Sequence, residues 1–338
     1  MKGNELDNSA LQTSPCELCD SENYVLVCCR NDGSRVAICS NCDLVTVKPL
    51  PDQSYLNSTY KSTNRNIQSK TGVAYLKITQ NAQTELDFEE KTEIGKIRQI
   101  EAKESFKKRY RERLELVERF SGYKRKLLDL GCGEGHFLKY AESQGWDISG
   151  IDILRENIEF AKEILQIKNV QCAPFGEAQF SEQSFDVVTL WDLIEHFSHP
   201  LNELKKINRL LQSGGLLVIS TPNVKNSIFM KERWSGYLIN QHVYFFSLKT
   251  LARMLKRAGF KIVFSRTGNA KKGLLISREL TSNKIRKKPK SLLGRLWYSV
   301  KRDFRNTFNF MAYVGPLFSM CGYGFNLIVI AVKDSTKN

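Results

Sequence analysis

The segment that most constrains the fold of this chain is a glycine-rich loop between a predicted strand and a predicted helix. Residues 127–135 read Leu-Leu-Asp-Leu-Gly-Cys-Gly-Glu-Gly, and a helical pattern continues to about Ser143. Glycines let the backbone turn sharply and let a ligand lie against main-chain N–H groups. The G-x-G-x-G spacing is not the dinucleotide fingerprint G-x-G-x-x-G, and no Gly-Lys-Ser/Thr follows as in a Walker A loop. The loop therefore predicts a ligand held by main-chain amides where a strand ends.

An acidic residue at the end of the next predicted strand strengthens this interpretation. The strand Trp146–Asp152 closes with Gly150, Ile151 and Asp152. An acid at the end of the second strand of such a sheet can hold both hydroxyls of a ribose. The alternative is a tight strand–helix turn followed by a surface aspartate.

Short apolar strands and amphipathic helices alternate over the rest of the chain. Strands are predicted over Lys126–Leu130, Trp146–Asp152, Asn169–Cys172, Phe185–Trp191, Gly215–Thr221, Lys261–Ser265 and Asn326–Val332. Helices are predicted over Leu154–Leu165, Pro200–Leu211 and Ser247–Ala258, with one or two more in Thr84–Phe120. Ser247 is the predicted N-cap of its helix. This alternation is typical of an α/β fold with a mostly parallel sheet covered on both faces.

Six sequence blocks together resemble a known family. In order they are Leu127–Gly135, Gly150–Asp152, Ser184–Val188, Glu195–Pro200, Gly214–Pro222, and His242–Ser247 with Leu251–Phe260. The chain resembles class I S-adenosylmethionine (SAM)-dependent methyltransferases, close to the ubiquinone O-methyltransferase-like group. The resemblance implies a Rossmann-like sheet of seven strands, mostly parallel, whose antiparallel last strand, Asn326–Val332, is inserted beside the sixth.

The resemblance also implies a set of cofactor-binding residues. The methionine part of SAM would be cradled by Asp129, Gly131, Gly133 and Gly135. Asp152 would bind the ribose, Ile153 would lie beside the adenine, and Glu177 belongs to the loop that would cover the adenine edge. Trp191 and Asp192 would face the sulfonium.

Two histidines are candidate general bases for a hydroxyl acceptor. His196 follows the fourth predicted strand, and His242 lies before the helix that starts near Ser247. A histidine with a pKa near neutrality suits this role, although many direct displacements need no base. The alternatives are that His196 caps a helix or packs on the sheet, and that His242 anchors its loop. Tyr237 and Tyr244 are further candidates for positioning the acceptor.

The cysteines form two C-x-x-C pairs near the N-terminus. The pairs are Cys16 with Cys19 and Cys39 with Cys42, separated by apolar runs that predict a hairpin, Tyr24–Val27 and Arg35–Ile38. Four thiolates at this spacing favour one structural, tetrahedral Zn²⁺, and the metal would supply folding energy to a unit with little core. A substitution of one ligand by Cys28 or Cys29, or a redox role for the pairs, is the alternative.

The net charge of +15 is concentrated towards the C-terminus. A basic run at 284–290 precedes a basic amphipathic pattern that extends to Met311. Residues 284–311 therefore predict docking on an anionic membrane surface, and the alternatives are a lid helix packed on the sheet or a nucleic-acid partner. No apolar run reaches the ~20 residues of a spanning helix. The first fifteen residues lack the apolar core of a secretory signal, so we expect a cytoplasmic protein, peripheral on the inner face of the membrane if this segment docks.

These features predict three regions and one leading function. The regions are 1–50 (tail and four-cysteine zinc ribbon), 51–120 (linker and amphipathic helices) and 121–338 (methyltransferase domain, with a basic insertion at about 268–322). The leading function is SAM-dependent O-methylation of a small molecule, a sugar or a lipid-linked glycan intermediate. A zinc ribbon before such a domain also resembles bacterial enzymes that modify sugars or glycan and lipid intermediates. An RNA methyltransferase and a non-catalytic SAM-binding adaptor are the alternatives.

Overall fold

A computed structural model describes residues 14–30, 32–67, 93–122, 125–229, 234–238, 241–268 and 319–334. Several sequence predictions lie outside the described residues. They are the tail up to residue 13, the linker over 68–92, and nearly all of the basic insertion, including 284–311. In the part of the chain that is described, no helix combines the length and the apolar character needed to cross a bilayer.

The N-terminal strands form a small antiparallel sheet. Its members are β1 (Tyr24–Cys29), β2 (Arg35–Cys39), β3 (Val45–Lys48) and a distant strand, β9 (Tyr244–Phe245), in the order β1-β2-β3-β9. The predicted hairpin is confirmed, because β1 and β2 pair antiparallel with Tyr24 opposite Cys39. The strands β3 and β9 were not predicted. Since β9 has only two residues, no alternating pattern marks it in the sequence.

Seven further strands form the main sheet. They are β4 (Lys126–Leu130), β5 (Asp147–Asp152), β6 (Val170–Cys172), β7 (Phe185–Trp191), β8 (Leu211–Pro222), β10 (Phe260–Gly268) and β11 (Asn326–Lys333). Their order is β10-β11-β8-β7-β4-β5-β6, mostly parallel with one antiparallel strand. The predicted α/β fold class is confirmed, and β11 lies between β8 and β10 as the resemblance implies. Strands buried on both faces are near-continuous apolar runs, and β7 is an example.

The described helices are α1 (Gln53–Ile67), α2 (Glu93–Ser121), α3 (His136–Ser143), α4 (Arg155–Glu163), α5 (Pro200–Leu210), α6 (Ser235–Leu238) and α7 (Leu248–Arg257). The predicted Ser247 N-cap of α7 is confirmed. Its hydroxyl accepts a bond from the Thr250 amide at 3.2 Å, and the Thr250 hydroxyl accepts one from the Ser247 amide at 3.0 Å. This reciprocal capping box satisfies two amides at the helix start.

The chain divides into two compact units. The first comprises Met1–Pro51, Asp192–Lys205 and Ile219–Val332, and the second comprises Asp52–Trp191, Lys206–Val218 and Lys333–Asn338. The glycine-rich loop belongs to the second unit, whereas the four-cysteine region and both candidate histidines belong to the first. The three regions expected from the sequence stay a prediction.

Candidate functional site

Parallel pairing brings several predicted cofactor residues of the second unit to one edge of the sheet. In β4, Asp129 lies opposite Gly150 of β5 and Thr189 of β7. Asp129 is one residue from the end of β4, and Asp152 and Trp191 are the last residues of β5 and β7. Ligands of open α/β sheets bind outside the carboxyl ends of the strands. These three residues therefore lie at the sheet edge where a cofactor is expected.

The glycine-rich loop is held in a conformation that favours glycine. Gly131, Gly133 and Gly135 have φ angles of 70°, 56° and 80°. At Gly135 a Cβ atom would also come within 2.7 Å of the Ile167 side chain. Left-handed backbone strains other residues, so these glycines let the chain turn from β4 into α3.

The Asp152 carboxylate links this loop to the end of β5. The Gly133 amide donates to its Oδ2 at 2.9 Å, and the Leu154 amide and the Asn157 side chain donate to its Oδ1 at 2.8 and 3.2 Å. The side chain is only 4% exposed, and this burial raises the pKa of the carboxyl although these bonds oppose the shift. The bonds fix the direction of the carboxylate, and its expected role as the ribose ligand stays a prediction.

Asp129 is a buried carboxyl one residue before the loop. It is 2% exposed, and the Thr189 hydroxyl donates to its Oδ1 at 2.6 Å. Burial raises the pKa of Asp129 to about 7, against the opposing effects of the Thr189 bond and the Arg113 charge. A cationic group that approaches a buried carboxyl of this kind stabilises its ionised form.

Arg113 is a site candidate that was not predicted from the sequence. Its guanidinium carbon lies 4.4 Å from the centroid of the Trp191 ring, and its charge acts on Asp129. Phe137 packs edge-on against the same indole at 5.5 Å. The strongly charged helix α2 offers many arginines, so no sequence pattern singled out this one.

The remaining predicted cofactor residues are less enclosed. Ile153 is half-buried, and Glu177 is exposed at the end of a 3-10 turn over Phe175–Glu177. In the first unit, the exposed Asp192 has a positive φ of 57° and accepts a hydrogen bond from the Ser220 hydroxyl at 2.8 Å. The roles expected of these residues stay predictions.

Both candidate histidines of the first unit belong to one cluster with Glu195. The His196 and His242 rings meet edge to face at 4.8 Å, and His242 Nε2 lies 4.0 Å from Glu195 Oε1. Each of the three residues places a potential ligand atom within 4.8 Å of the others, so the cluster has the chemistry to hold a divalent cation. Glu195 was not predicted as a site residue, although it lies next to His196.

The protonation states in this cluster follow from burial. Burial raises the pKa of Glu195 to about 8 and lowers that of His196 to about 4. Burial, and then the neighbouring His196 and Arg30, also lower the pKa of His242. His196 Nδ1 lies 3.1 Å from the Gln241 carbonyl, which only accepts, so Nδ1 carries the proton and Nε2 keeps its lone pair. Both rings are therefore neutral near pH 7.

The two tyrosines singled out in the sequence are both buried in the first unit. The Tyr244 hydroxyl donates to Glu17 Oε2 at 2.9 Å, whereas Tyr237 packs edge-on against Trp234 and Phe245, each at 5.0 Å.

The four predicted metal ligands converge in the first unit. Each thiol lies within 4.8 Å of the other three, and both the Cys16–Cys42 and the Cys19–Cys39 sulfur atoms are 3.5 Å apart. Cys29 is exposed and lies outside this cluster of described residues. The thiols thus form one compact donor set.

The known proteins that this chain resembles include methyltransferases. Residues 104–264 match the sequence family described as a methyltransferase domain. Relatives include ubiquinone biosynthesis O-methyltransferases of Aliivibrio fischeri (29% identical over 112 residues, 31% of this chain and 48% of that protein) and Coxiella burnetii (33% over 116 residues, 33% and 50%).

The match of residues 104–264 to a methyltransferase domain supports a class I SAM-dependent methyltransferase. The resemblance to the ubiquinone O-methyltransferase-like group is confirmed. The chain spans about half the length of the curated relatives it matches. A solved SAM-dependent methyltransferase from Archaeoglobus fulgidus aligns with a TM-score of 0.45 at 20% identity, over 67% of this chain and 94% of that one.

Proposed function

We propose that the protein transfers a methyl group from SAM to a hydroxyl of a small molecule, a sugar or a lipid-linked glycan intermediate. The observation that carries the cofactor half of the proposal is the Asp152 carboxylate, fixed by three donors at the carboxyl end of β5. The O-methyltransferase names of the relatives support a hydroxyl acceptor.

The residues at the carboxyl edge of the second unit fit the polar groups of SAM. The buried Asp129 would accept a bond from the α-ammonium group, and Arg113 would pair with the carboxylate of the methionine part. Asp152 would accept bonds from the two ribose hydroxyls. When bound, SAM supplies an electrophilic methyl group on a sulfonium that is already a good leaving group.

The protein's own contribution to transfer is to orient the acceptor and to accept its proton. Near pH 7 each neutral imidazole of the Glu195 cluster has a lone pair that can accept a proton. Glu195 Oε1 lies 4.0 Å from His242 Nε2, and this carboxyl would stabilise an imidazolium once the pH exceeds its raised pKa of about 8. A His242→Ala variant should bind SAM normally and lose turnover. Unchanged turnover would exclude His242 as the base.

We also propose that the four thiols hold one structural Zn²⁺. A tetrahedral site with Zn–S bonds of about 2.3 Å has sulfur atoms roughly 3.8 Å apart. The two sulfur pairs at 3.5 Å are close to that value. Four protein ligands leave no open position, so the ion would support the fold and take no part in transfer. Less than about half an equivalent of zinc in the purified chain would contradict the site.

Calorimetry tests the cofactor assignment directly. The full chain is titrated with SAM and with S-adenosylhomocysteine, and Asp152→Asn is compared with Asp147→Asn, which alters an exposed residue of the same strand. We expect Asp152→Asn to weaken binding at least tenfold, because bonds to a charged group contribute about 1.5–3 kcal/mol each. Equal affinities of the two variants would exclude Asp152 as the ribose ligand.

A labelling experiment identifies the acceptor class. The chain is incubated with methyl-labelled SAM and, separately, with RNA, lipid and soluble-metabolite extracts. Label in lipids or metabolites supports the proposal, and label in RNA supports the nucleic-acid alternative. Label in no fraction, with SAM bound, supports the adaptor. The same protein mixed with anionic vesicles at low salt tests membrane docking by 284–311, and no binding would contradict it.

A further inference from the structure

The four-cysteine ribbon (the described part of residues 1–50) and the segment from His242 to Phe245 contribute strands to one antiparallel sheet. In the antiparallel pair of β3 and β9, Val45 lies opposite Phe245 and Thr46 opposite Tyr244. Just before β9, the Val243 carbonyl accepts two bonds from β3, one from the Val47 amide and one from the Thr46 hydroxyl, each 2.9 Å long. The residue next to His242 is therefore fixed to the ribbon by its carbonyl.

Arg30, which lies between β1 and β2, also contacts this segment. Its guanidinium donates to the His242 carbonyl, and its central carbon lies 5.3 Å from the centroid of the Phe245 ring. Arg30 is 7% exposed, and a buried charge is costly unless it is paired or hydrogen-bonded. The cost of burying this cation is therefore offset in part at the backbone of His242.

Glu195 binds the other side of the segment. The Val243 amide donates to the Glu195 carbonyl at 2.9 Å, and the Glu195 side chain accepts a bond from the Thr221 hydroxyl at 2.9 Å. Val243 is thus bonded to β3 through its carbonyl and to Glu195 through its amide. A movement of β3 would change the 4.0 Å separation between His242 Nε2 and Glu195 Oε1.

Both cysteine pairs connect to this segment. Glu17, between Cys16 and Cys19, accepts the Tyr244 hydroxyl at 2.9 Å. The turn that contains the second pair closes with a bond from the Cys39 amide to the Leu44 carbonyl at 2.9 Å and leads directly into β3. A metal bound to all four thiols would therefore hold both connections at once.

We propose that Arg30 and strand β3 position His242 against Glu195, and that the metal of the four-cysteine cluster maintains this arrangement. The inference deepens the proposed function, because it assigns the ribbon a part in shaping the histidine cluster. Arg30 is a positioning residue, since it acts through His242.

The test uses the ring resonances of histidine, of which the chain has only four. The full chain is labelled with ¹³C-histidine, and each Cε1–H signal is assigned with a single histidine variant. Arg30→Met is compared with Arg35→Met, a half-buried arginine of the same hairpin. Arg30→Lys keeps a donor for the His242 carbonyl.

We expect Arg30→Met to shift the His242 signal by more than its linewidth and to leave His136 and His199 unchanged. Arg35→Met should leave all four signals in place, and Arg30→Lys should return the His242 signal towards its original position. A general loss of stability would not produce this pattern. An unshifted His242 signal in Arg30→Met would overturn the inference.

Metal removal tests the second half of the inference. Chelation in the presence of a thiol reagent should move the His242 signal, and removal of the reagent with addition of Zn²⁺ should restore it. If the His242 signal stays in place when the zinc is lost, the metal has no part in positioning. Calorimetry with SAM is independent of both arms, so a failure of the cofactor assignment would be recognised separately.

Discussion

Replacing Asp129 with asparagine removes a charge from the carboxyl edge of the main sheet and leaves the shape of the side chain nearly unchanged. The asparagine carbonyl oxygen can still accept the Thr189 hydroxyl, which lies 2.6 Å from Oδ1. The substitution therefore isolates the cost of an ionised carboxylate at a position that is 2% exposed. An exposed control on the neighbouring strand is Asp147→Asn.

The magnitude follows from the pKa of Asp129, which burial raises from 3.8 to about 7 in the folded state. The folded protein binds more protons than the unfolded chain between these values, so the free energy of unfolding falls as the pH rises through them. A pKa difference of about 3 between the two states lowers the free energy of unfolding by ~4 kcal/mol above pH 7. Integration of the linkage leaves roughly 2–3 kcal/mol of this change between pH 5 and pH 8.

Urea unfolding of wild type and Asp129→Asn at pH 5 and pH 8 measures this difference. The asparagine variant should gain roughly 2–3 kcal/mol over wild type between the two pH values. Asp147→Asn should follow wild type at both. If Asp129→Asn and wild type differ by the same amount at pH 5 and pH 8, the carboxyl is not desolvated as its burial indicates, and the argument fails.

The same carboxyl predicts proton release when SAM binds. If Asp129 holds the α-ammonium group, binding near pH 7 ionises the carboxyl, and calorimetry in two buffers of different ionisation enthalpy should show protons released. Asp129→Asn should abolish that release and weaken binding. An identical proton count for both proteins would remove Asp129 from the ammonium site.

Three further substitutions test the loop, the ribbon and a helix start. Gly135→Ala should destabilise the protein more than Gly145→Ala. Both glycines have a positive φ, which costs an alanine about 1–2 kcal/mol, but of the two only Gly135 has a side chain within 2.7 Å of the new Cβ. Equal losses of unfolding free energy in urea would contradict the contact. Cys39→Ala should lose bound zinc and lower the melting temperature, whereas the exposed Cys29→Ala should retain both, as metal analysis and calorimetry would show. Ser247→Ala should cost about 1 kcal/mol of unfolding free energy through loss of the cap, and no change in urea unfolding would refute the capping box.

Much of the region that matches a methyltransferase domain was predictable because its signals are local. The strands around the glycine-rich loop, the acid that ends β5 and the Ser247 cap each depend on residue types within a short window. Predicted and observed ends coincide at β4 and β7 and differ by one residue at β5. The two cysteine pairs are equally local, since the C-x-x-C spacing and the turn-forming residues between the apolar runs suffice to predict a hairpin carrying four thiols.

What only the tertiary structure decided depends on residues that are far apart in the chain. The pairing of β3 with β9, the bond from Arg30 to the His242 carbonyl and the approach of Glu195 to His242 each join distant segments. Arg113 became a candidate only when α2 was placed over Trp191. Local propensity and periodicity indicate which elements form and which face of each is buried. The choice of partners for those faces depends on packing and hydrogen bonding across the whole fold, and that choice sets the geometry of the histidine cluster.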